Sequence, residues 1–327
     1  MRKLVLGTLI AFVAVLLTAP AFAATVLKFS SIHEPNHPSA YTAEFFASRV
    51  KQLTKGEVEV QVYHSRQLGD ARDNVENVRN GSIAFTSVSV SNLSQVVPAM
   101  DAFSLPFIFK TGDHFWYCLN DPKAMEFMKQ LEPKGIKTLT WIDSGARNFF
   151  TQKPVRSVAD MKGMKIRVQP SDIQIQAINE MGGIGTPLAF GEVYLALQQK
   201  VLDGAENSPA LYWTSKHWEV SKVYSLTEQF WSVSTFIANK KWWDGLPKDI
   251  QADITAAGQD AEKFFLEAYV SLESKAIGLL KDKGVTVVTD VDKATFEKRI
   301  QPVYDNFVKK YPFGKDLLEQ ARAAKKK

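Results

Sequence analysis

Two arginines set among apolar neighbours carry the clearest chemical capacity in this sequence. Arg147 stands in Gly145-Ala146-Arg147-Asn148-Phe149-Phe150, and Arg167 in Lys165-Ile166-Arg167-Val168-Gln169-Pro170. On a strand, successive side chains face opposite ways, so Arg167 points away from Ile166 and Val168. A guanidinium presents a planar fork of N–H donors that fits a carboxylate, or a sulfonate, through two parallel hydrogen bonds. In a cleft that has shed much of its water, an anionic ligand would compensate such a group. A structural Asp or Glu would serve equally well, and spacing alone does not decide between them. Phe190-Gly191-Glu192-Val193-Tyr194-Leu195-Ala196-Leu197 and Asp203-Gly204-Ala205-Glu206-Asn207 follow, each leading to a polar side chain where a fold would place a ligand. Residues 145–209 therefore read as one wall of a pocket for a small organic anion.

Other constellations carry less. His33-Glu34-Pro35-Asn36-His37 matches the literal H-E-x-x-H pattern, whose chemistry needs both histidines one helical turn apart. Pro35 inside it and Pro38 after it oppose a helix, so the segment is expected to be a loop lining the cleft, with His33 in reach of a ligand. His64, His114 and His217 are isolated, and no set of side chains has metal-ligand spacing. There is no G-x-S-x-G elbow, Walker loop or G-x-G-x-x-G. Gly182-Gly183-Ile184-Gly185 follows a helical pattern and precedes Thr186-Pro187, as a helix end and turn would. No carboxylate pair stands out as acid and base. The reading is a non-enzyme without cofactor or metal.

Composition bounds the class. The 327 residues suffice for two lobes with their own cores. A net charge of +5 without a basic, aromatic-interleaved stripe argues against nucleic acid, and Lys325-Lys326-Lys327 reads as a solvated tail. Arg2-Lys3, the apolar run Leu4 to Leu17 and Ala21-Phe22-Ala23 form an export signal, with cleavage expected after about Ala23. The expected location is the periplasm. Cys118 is the only cysteine, so no intrachain disulfide is possible; it reads as a buried small hydrophobe.

The elements that must position the pocket follow from periodicity. Strands are expected at 26–29, 58–62 and 83–90, with helices at 39–53 and after Asp70 between them. Phe103 to Phe109 reads as a buried crossover. Helices near 113–119 and 122–132 precede a strand at 137–142. Short strands near 147–151 and 165–168 then open a second α/β unit, with helices at 172–181, 191–199 and 209–216 and a strand at 201–205. A return strand at 230–238 suggests two α/β lobes between which the chain passes more than once. From Asp249 to Lys283 the apolar spacing is helical throughout, long enough for a spine across both lobes, with a break near Gly258 as the alternative. A strand at 285–288 and a helix at 292–310 end the fold.

Gln67-Leu68-Gly69-Asp70, Arg79-Asn80-Gly81-Ser82, Leu105-Pro106-Phe107, Asp160 to Val168, Phe190 to Gln199 and Asp203 to Asn207, in this order, resemble motifs of the substrate-binding proteins of tripartite ATP-independent periplasmic (TRAP) transporters, the DctP-like family. The resemblance runs over most of the chain after the leader. It implies a two-lobed α/β periplasmic binding protein fold, type II-like, with lobes joined by crossing strands and a long C-terminal spine helix. The expected division is 1–23 as signal peptide, 24–144 plus about 233–272 as lobe I, and 145–232 plus about 273–327 as lobe II. It also implies that Arg167 pairs bidentately with the ligand carboxylate, assisted by Arg147 and Asn207, while Phe190 packs on the carbon skeleton. Gln169, His33, Ser89 and Trp213 complete the candidate set. Family members that bind sialic acid carry a glutamate where this chain has Ser89, which argues against that ligand. A C4-dicarboxylate, a sugar acid, another hydroxy acid and a small sulfonate stay open. The implied partners are the small and large TRAP membrane subunits, with the binding protein itself a monomer. An exported enzyme acting on a carboxylate, or a sensory binding protein, are the rival readings.

Overall fold

The computed structural model describes residues 24–312 and residue 319; the expected leader and the lysine tail lie outside the described residues. The chain begins with β1 (Thr25–Ser30), α1 (Pro38–Leu53), β2 (Val58–Tyr63), α2 (Ala71–Asn80) and β3 (Phe85–Ser89). Local chemistry sets these ends. Pro38 opens α1, where its missing N–H costs nothing, and His37 Nδ1 accepts the Ser39 N–H. Asp70 and Asp73 form a capping box at the start of α2. Next come α3 (Val90–Leu93), a 3-10 turn (Pro98–Ser104), α4 (Gly112–Leu119), α5 (Pro122–Met128) and β4 (Ile136–Thr151). The segment after the 3-10 turn is buried, and the Phe107 N–H donates to Gln229 O at 2.9 Å.

The second α/β run consists of β5 (Lys165–Val168), α6 (Asp172–Glu180), β6 (Ile184–Pro187), α7 (Val193–Gln198), β7 (Gly204–Asn207) and α8 (Pro209–Thr214). Then β8 (Val223–Asn239) returns, followed by α9 (Lys240–Asp244), α10 (Lys248–Asp282), β9 (Thr286–Val288), α11 (Lys293–Glu297) and α12 (Gln301–Lys310).

The strands form one sheet in the order β2-β1-β3-β8-β4-β7-β5-β6, with β9 also on β8. Its middle is the antiparallel pair β4 and β8, which runs the whole width. One end of that pair carries β3, β1 and β2; the other carries β7, β5, β6 and β9. Between the two ends the register slips, from Asp143 to Ala146 and again from Arg147 to Phe149. The expected separate strands at 137–142 and 147–151 are therefore one strand, and the expected 230–238 begins earlier, at Val223. Bulges bend a strand without ending its pairing, and a local pattern reads such a bend as a terminus.

α10 is unbroken over 35 residues, roughly 50 Å at 1.5 Å per residue. Gly258 lies inside it, packed near Thr140 of β4 rather than at a break. The helix packs α1 on one side of the sheet and reaches α8 and β9 at its far end. A core of Phe29, Phe46, Phe85 and Phe236 with Ile254, Ala257, Ala261 and Phe265 holds it to the first half. Phe150, Tyr212, Tyr224 and Leu280 do so in the second. The expected helix 292–310 is two helices, because Pro302 cannot continue a hydrogen-bonded helix and instead starts α12. Among the described residues, no helix is long and apolar enough to cross a membrane.

Candidate ligand-binding site

A cavity of about 550 Å³ opens where the halves of the sheet meet. The first half contributes His33, Asp70, Ser87, Ser89 and Asn92; the second contributes Arg167, Gln169, Phe190 and Asn207. Arg147, Ser232 and Ser234 line it from the central strands.

Three neighbouring strands set the arginine-bearing end of the wall. β7 pairs with β4 in the register Asn148↔Asn207 and Phe149↔Glu206. β5 lies on the other side of β7, with Ile166 opposite Gly204. The approach is tight: a Cβ on Gly204 would lie 2.6 Å from Phe150 O, so no side chain fits there. Ile166 and Val168 are buried in the apolar core, and Arg167, between them, lines the cavity.

The two arginines differ sharply in their partners. Arg147, 1 % exposed, grips Glu206 through Nε and Nη2, with Nη2 to Oε1 at 2.8 Å and to the Glu206 carbonyl at 2.9 Å. It is thus the arginine with a structural carboxylate. Arg147 also lines the cavity, and Nη1 is the nitrogen left for the expected contact with the ligand carboxylate. Arg167, 3 % exposed, donates only Nε to Leu188 O at 2.9 Å. Among the described residues neither of its Nη groups has a hydrogen-bond partner. Burial pulls this guanidinium down to about 10; Glu206 offsets part of that cost and Arg147 adds to it. Such a group is poised for an anion.

Phe190 stands between the charged groups, with the guanidinium carbons of Arg66 and Arg167 each 6.0 Å from its ring centroid. Asn207 Oδ1 accepts the Ser208 N–H at 3.0 Å, and its backbone carbonyl accepts the Tyr224 hydroxyl at 2.8 Å. Ser89 donates to Gln169 Oε1 at 3.2 Å and meets Ser232 Oγ at 3.2 Å, linking the halves.

The H-E-x-x-H segment is a loop, as expected. His33 and His37 stack with centroids 4.3 Å apart and planes 15° apart. Burial, then Arg66, pushes His33 down to about 4, and burial with the His33 neighbour pushes His37 well below the usual range. Glu34 is committed to Arg66 at 3.1 Å and to Ser65 Oγ at 2.6 Å. The triplet holds the loop against α1 and does not converge on a metal.

Trp213 is not brought to the cavity. It stacks on Trp218 at 5.6 Å, and Leu211 lines the wall instead. Several lining groups escaped the sequence reading: Asp70, Ser87, Asn92, Ser232 and Ser234, and Glu206 behind them. Serines on strands, and an asparagine in a one-turn helix, carry no local signal. Glu206 did carry one, being a lone carboxylate in a buried strand near a buried arginine. His217, also unforeseen, lines an adjoining cavity of about 610 Å³ that shares Phe190 and His33, and burial lowers it to about 3.

Comparison with known proteins identifies the family and the fold. The family model described as "Bacterial extracellular solute-binding protein, family 7", DctP, matches residues 29–310. A solute-binding protein of Chromohalobacter salexigens is 36 % identical over 295 residues, covering 90 % of this chain and 88 % of that protein. A TRAP periplasmic solute-binding protein from Sulfitobacter, solved with bound β-D-galacturonate, superposes with a TM-score of 0.88 at 34 % identity, covering 92 % of this chain and 100 % of that one. Another from Chromohalobacter salexigens, with bound D-glucuronate, gives 0.87 at 35 % identity, covering 91 % and 100 %. The chain belongs to the DctP family of TRAP periplasmic solute-binding proteins, which bind solutes and carry out no chemistry on them.

Proposed function

We propose that this protein captures a sugar acid of hexuronate size in the periplasm and delivers it to the membrane subunits of a TRAP transporter. The observation that carries the ligand class is Arg167, buried with two uncommitted Nη groups, in a cavity whose wall includes the hydroxyls and amides of Ser87, Ser89, Asn92, Gln169, Ser232 and Ser234. One fork takes one carboxylate, and hydroxyls and amides suit a polyhydroxylated skeleton. A dicarboxylate would want a second cation: Arg147 is held by Glu206, burial lowers His33 to about 4, and Arg72 lines the cavity together with four acids, Asp70, Asp73, Asp172 and Glu192. The galacturonate and glucuronate held by the Sulfitobacter and Chromohalobacter proteins support the same class.

In this reading the two halves of the sheet are lobes that hinge at the register slips of β4 and β8. The boundaries fall near 144/145 and 232/233, and again near residue 272 in α10. The ligand carboxylate pairs with Arg167, the ring packs on Phe190, Asn207 and Gln169 hydrogen-bond to it, and groups near His33 and Ser89 close over the hydroxyls. The ligand biases the hinge through contacts it makes only in the closed state. The chain acts as a monomer after loss of its leader.

Titration calorimetry of the protein lacking residues 1–23 tests this, using D-glucuronate, D-galacturonate, D-erythronate, succinate and a small sulfonate. One-to-one binding of a uronate, at least tenfold tighter than succinate, is expected. Tightest binding of succinate or of the sulfonate would reject the sugar-acid assignment.

A further inference from the structure

The halves of the sheet also meet away from the cavity, through a buried carboxylate. Asp101, in the 3-10 turn beside α3, is 4 % exposed and has no ion pair among the described residues. Its Oδ1 accepts from Ser171 Oγ at 2.6 Å, and its Oδ2 accepts the Ile173 N–H at a longer 3.4 Å. Both donors stand at the start of α6, in the opposite half. The contact is reinforced in the other direction: Gln174 Nε2 of α6 donates to Ser91 Oγ at 3.1 Å, and Ser91 Oγ meets Ser104 Oγ at 2.7 Å. Asp101, Ser171 and Gln174 do not line the ligand cavity.

A second carboxylate crosses the cleft in the same manner. Asp70 uses Oδ1 for the Ala71 N–H at 2.6 Å and Oδ2 for the Gly191 N–H at 2.9 Å. A Cβ on Gly191 would lie 3.1 Å from Asp70 Oδ2 and 3.1 Å from Arg66 Cδ, so these two side chains close tightly on the glycine. In both places a carboxylate from the first half accepts N–H or O–H donors that begin a helical turn of the second. Opening the cleft breaks both sets and leaves each donor to water.

We propose that Asp101 is a closure latch: it holds the lobes shut and so sets ligand residence time from outside the cavity, while Asp70 bridges the same halves from within the cavity wall. This rests on the reading of the halves as closing lobes around a sugar acid. A latch differs from static packing in when its energy is felt. Its coupling to Ser171 exists in the closed state and vanishes in the open one, so it enters ligand release but not the stability of the unliganded protein.

A double-mutant cycle of Asp101→Asn and Ser171→Gly tests it; glycine is tolerated at a helix N-cap at a cost of only a few tenths of a kcal/mol. Release of D-glucuronate is followed by stopped-flow tryptophan fluorescence. Asp101→Asn should speed release about tenfold, the scale of one hydrogen bond to a charged group. The double variant should be no faster than the faster single one. The ratio of D-glucuronate to D-galacturonate affinity and the unliganded Tm should stay at wild-type values. Unchanged release, or the same coupling in the unliganded melting, overturns the latch. If wild type binds neither uronate, the sugar-acid assignment fails on its own. The latch is then read on whichever anion of the calorimetric series binds, from spin labels at Ser48→Cys and Gln198→Cys in the liganded protein. Faster release and a larger open fraction in Asp101→Asn support it, and an identical distribution with unchanged release rejects it.

Discussion

Arg147 and Arg167 stand on strands separated only by β7, and both are almost wholly buried, yet they are electrostatically opposite. Arg147 has its carboxylate built in, from Glu206 on the adjacent strand. Arg167 has a carbonyl on one nitrogen and none of its remaining donors matched by an acid. Burying a charge is costly unless it is paired and hydrogen-bonded. The ion pair makes Arg147 part of the scaffold whatever else it contacts, while the unsatisfied fork of Arg167 is what carries the ligand-binding role proposed above. The pair does more than frame the wall: Glu206 lends Arg167 part of the negative charge it lacks, and Arg147 takes some of that benefit away. Arg167 thus keeps its proton while retaining an appetite for an anion.

The comparison breaks most visibly through single truncations. Arg147→Ala leaves Glu206 buried and unpaired, and should lower unfolding stability by roughly 3–5 kcal/mol, measured by chemical denaturation without ligand. Arg147→Met with Glu206→Leu should recover most of that loss. Arg167→Ala should do the reverse. It should weaken uronate binding about a thousandfold or more while leaving the unliganded Tm unchanged or higher, because it removes a charge that the empty site does not satisfy. Arg167→Lys should also weaken binding strongly, since an ammonium cannot reproduce the fork. If Arg167→Ala destabilised the protein as Arg147→Ala does, the distinction drawn here would collapse.

A smaller effect separates the histidine loop from the carboxylate side. His33 and His217 sit at about 4 and about 3, below their ordinary 6.5, so between pH 6.5 and about 4 the unfolded chain binds protons that the folded chain refuses. Stability must fall as pH drops through that window, by about 1.4 kcal/mol per pH unit for each fully shifted group. His37 acts in the same direction. Asp101, raised to about 6 by burial, opposes them between about 4 and 6, because its folded form holds a proton that the unfolded form has lost. Three groups outweigh one, so Tm should decline from pH 7 to pH 5. A flat or rising profile would show that the histidines are not buried as described. His217→Gln should flatten the decline. Smallest of all, Phe190→Leu should weaken binding by about tenfold or less, as loss of its cation–π contacts with Arg66 and Arg167 and of some packing area would. Trp213→Leu should leave affinity unchanged.

Much of this was legible along the chain. The capping of α2 by Asp70, helix α1, expected from residue 39 and found from Pro38, and the continuous α10 follow from residue types and 3.6-residue spacing, which are local. Arg167 stood out for the same reason, as a charge alternating with Ile166 and Val168. The joined strands β4 and β8 were not legible, because a bulge at 143–149 interrupts the local pattern while pairing with a distant partner carries the strand onward. The break between α11 and α12 was missed because the apolar spacing continues across it, although Pro302 marks the restart.

What the sequence determined alone was the inventory: a β-α alternation, one long helix, a charged fork inside an apolar strand, and no constellation for catalysis. It left open which of two similar arginines would find an acid, since Glu206 lies 59 residues from Arg147. Only the order β4-β7-β5 decided that, by setting Glu206 beside Arg147 and leaving the Arg167 fork toward the cavity. It likewise brought Asp101 to Ser171, 70 residues on. Spacing along a chain fixes which face a residue occupies, but the sheet order fixes what it meets there, and electrostatics depends on the meeting.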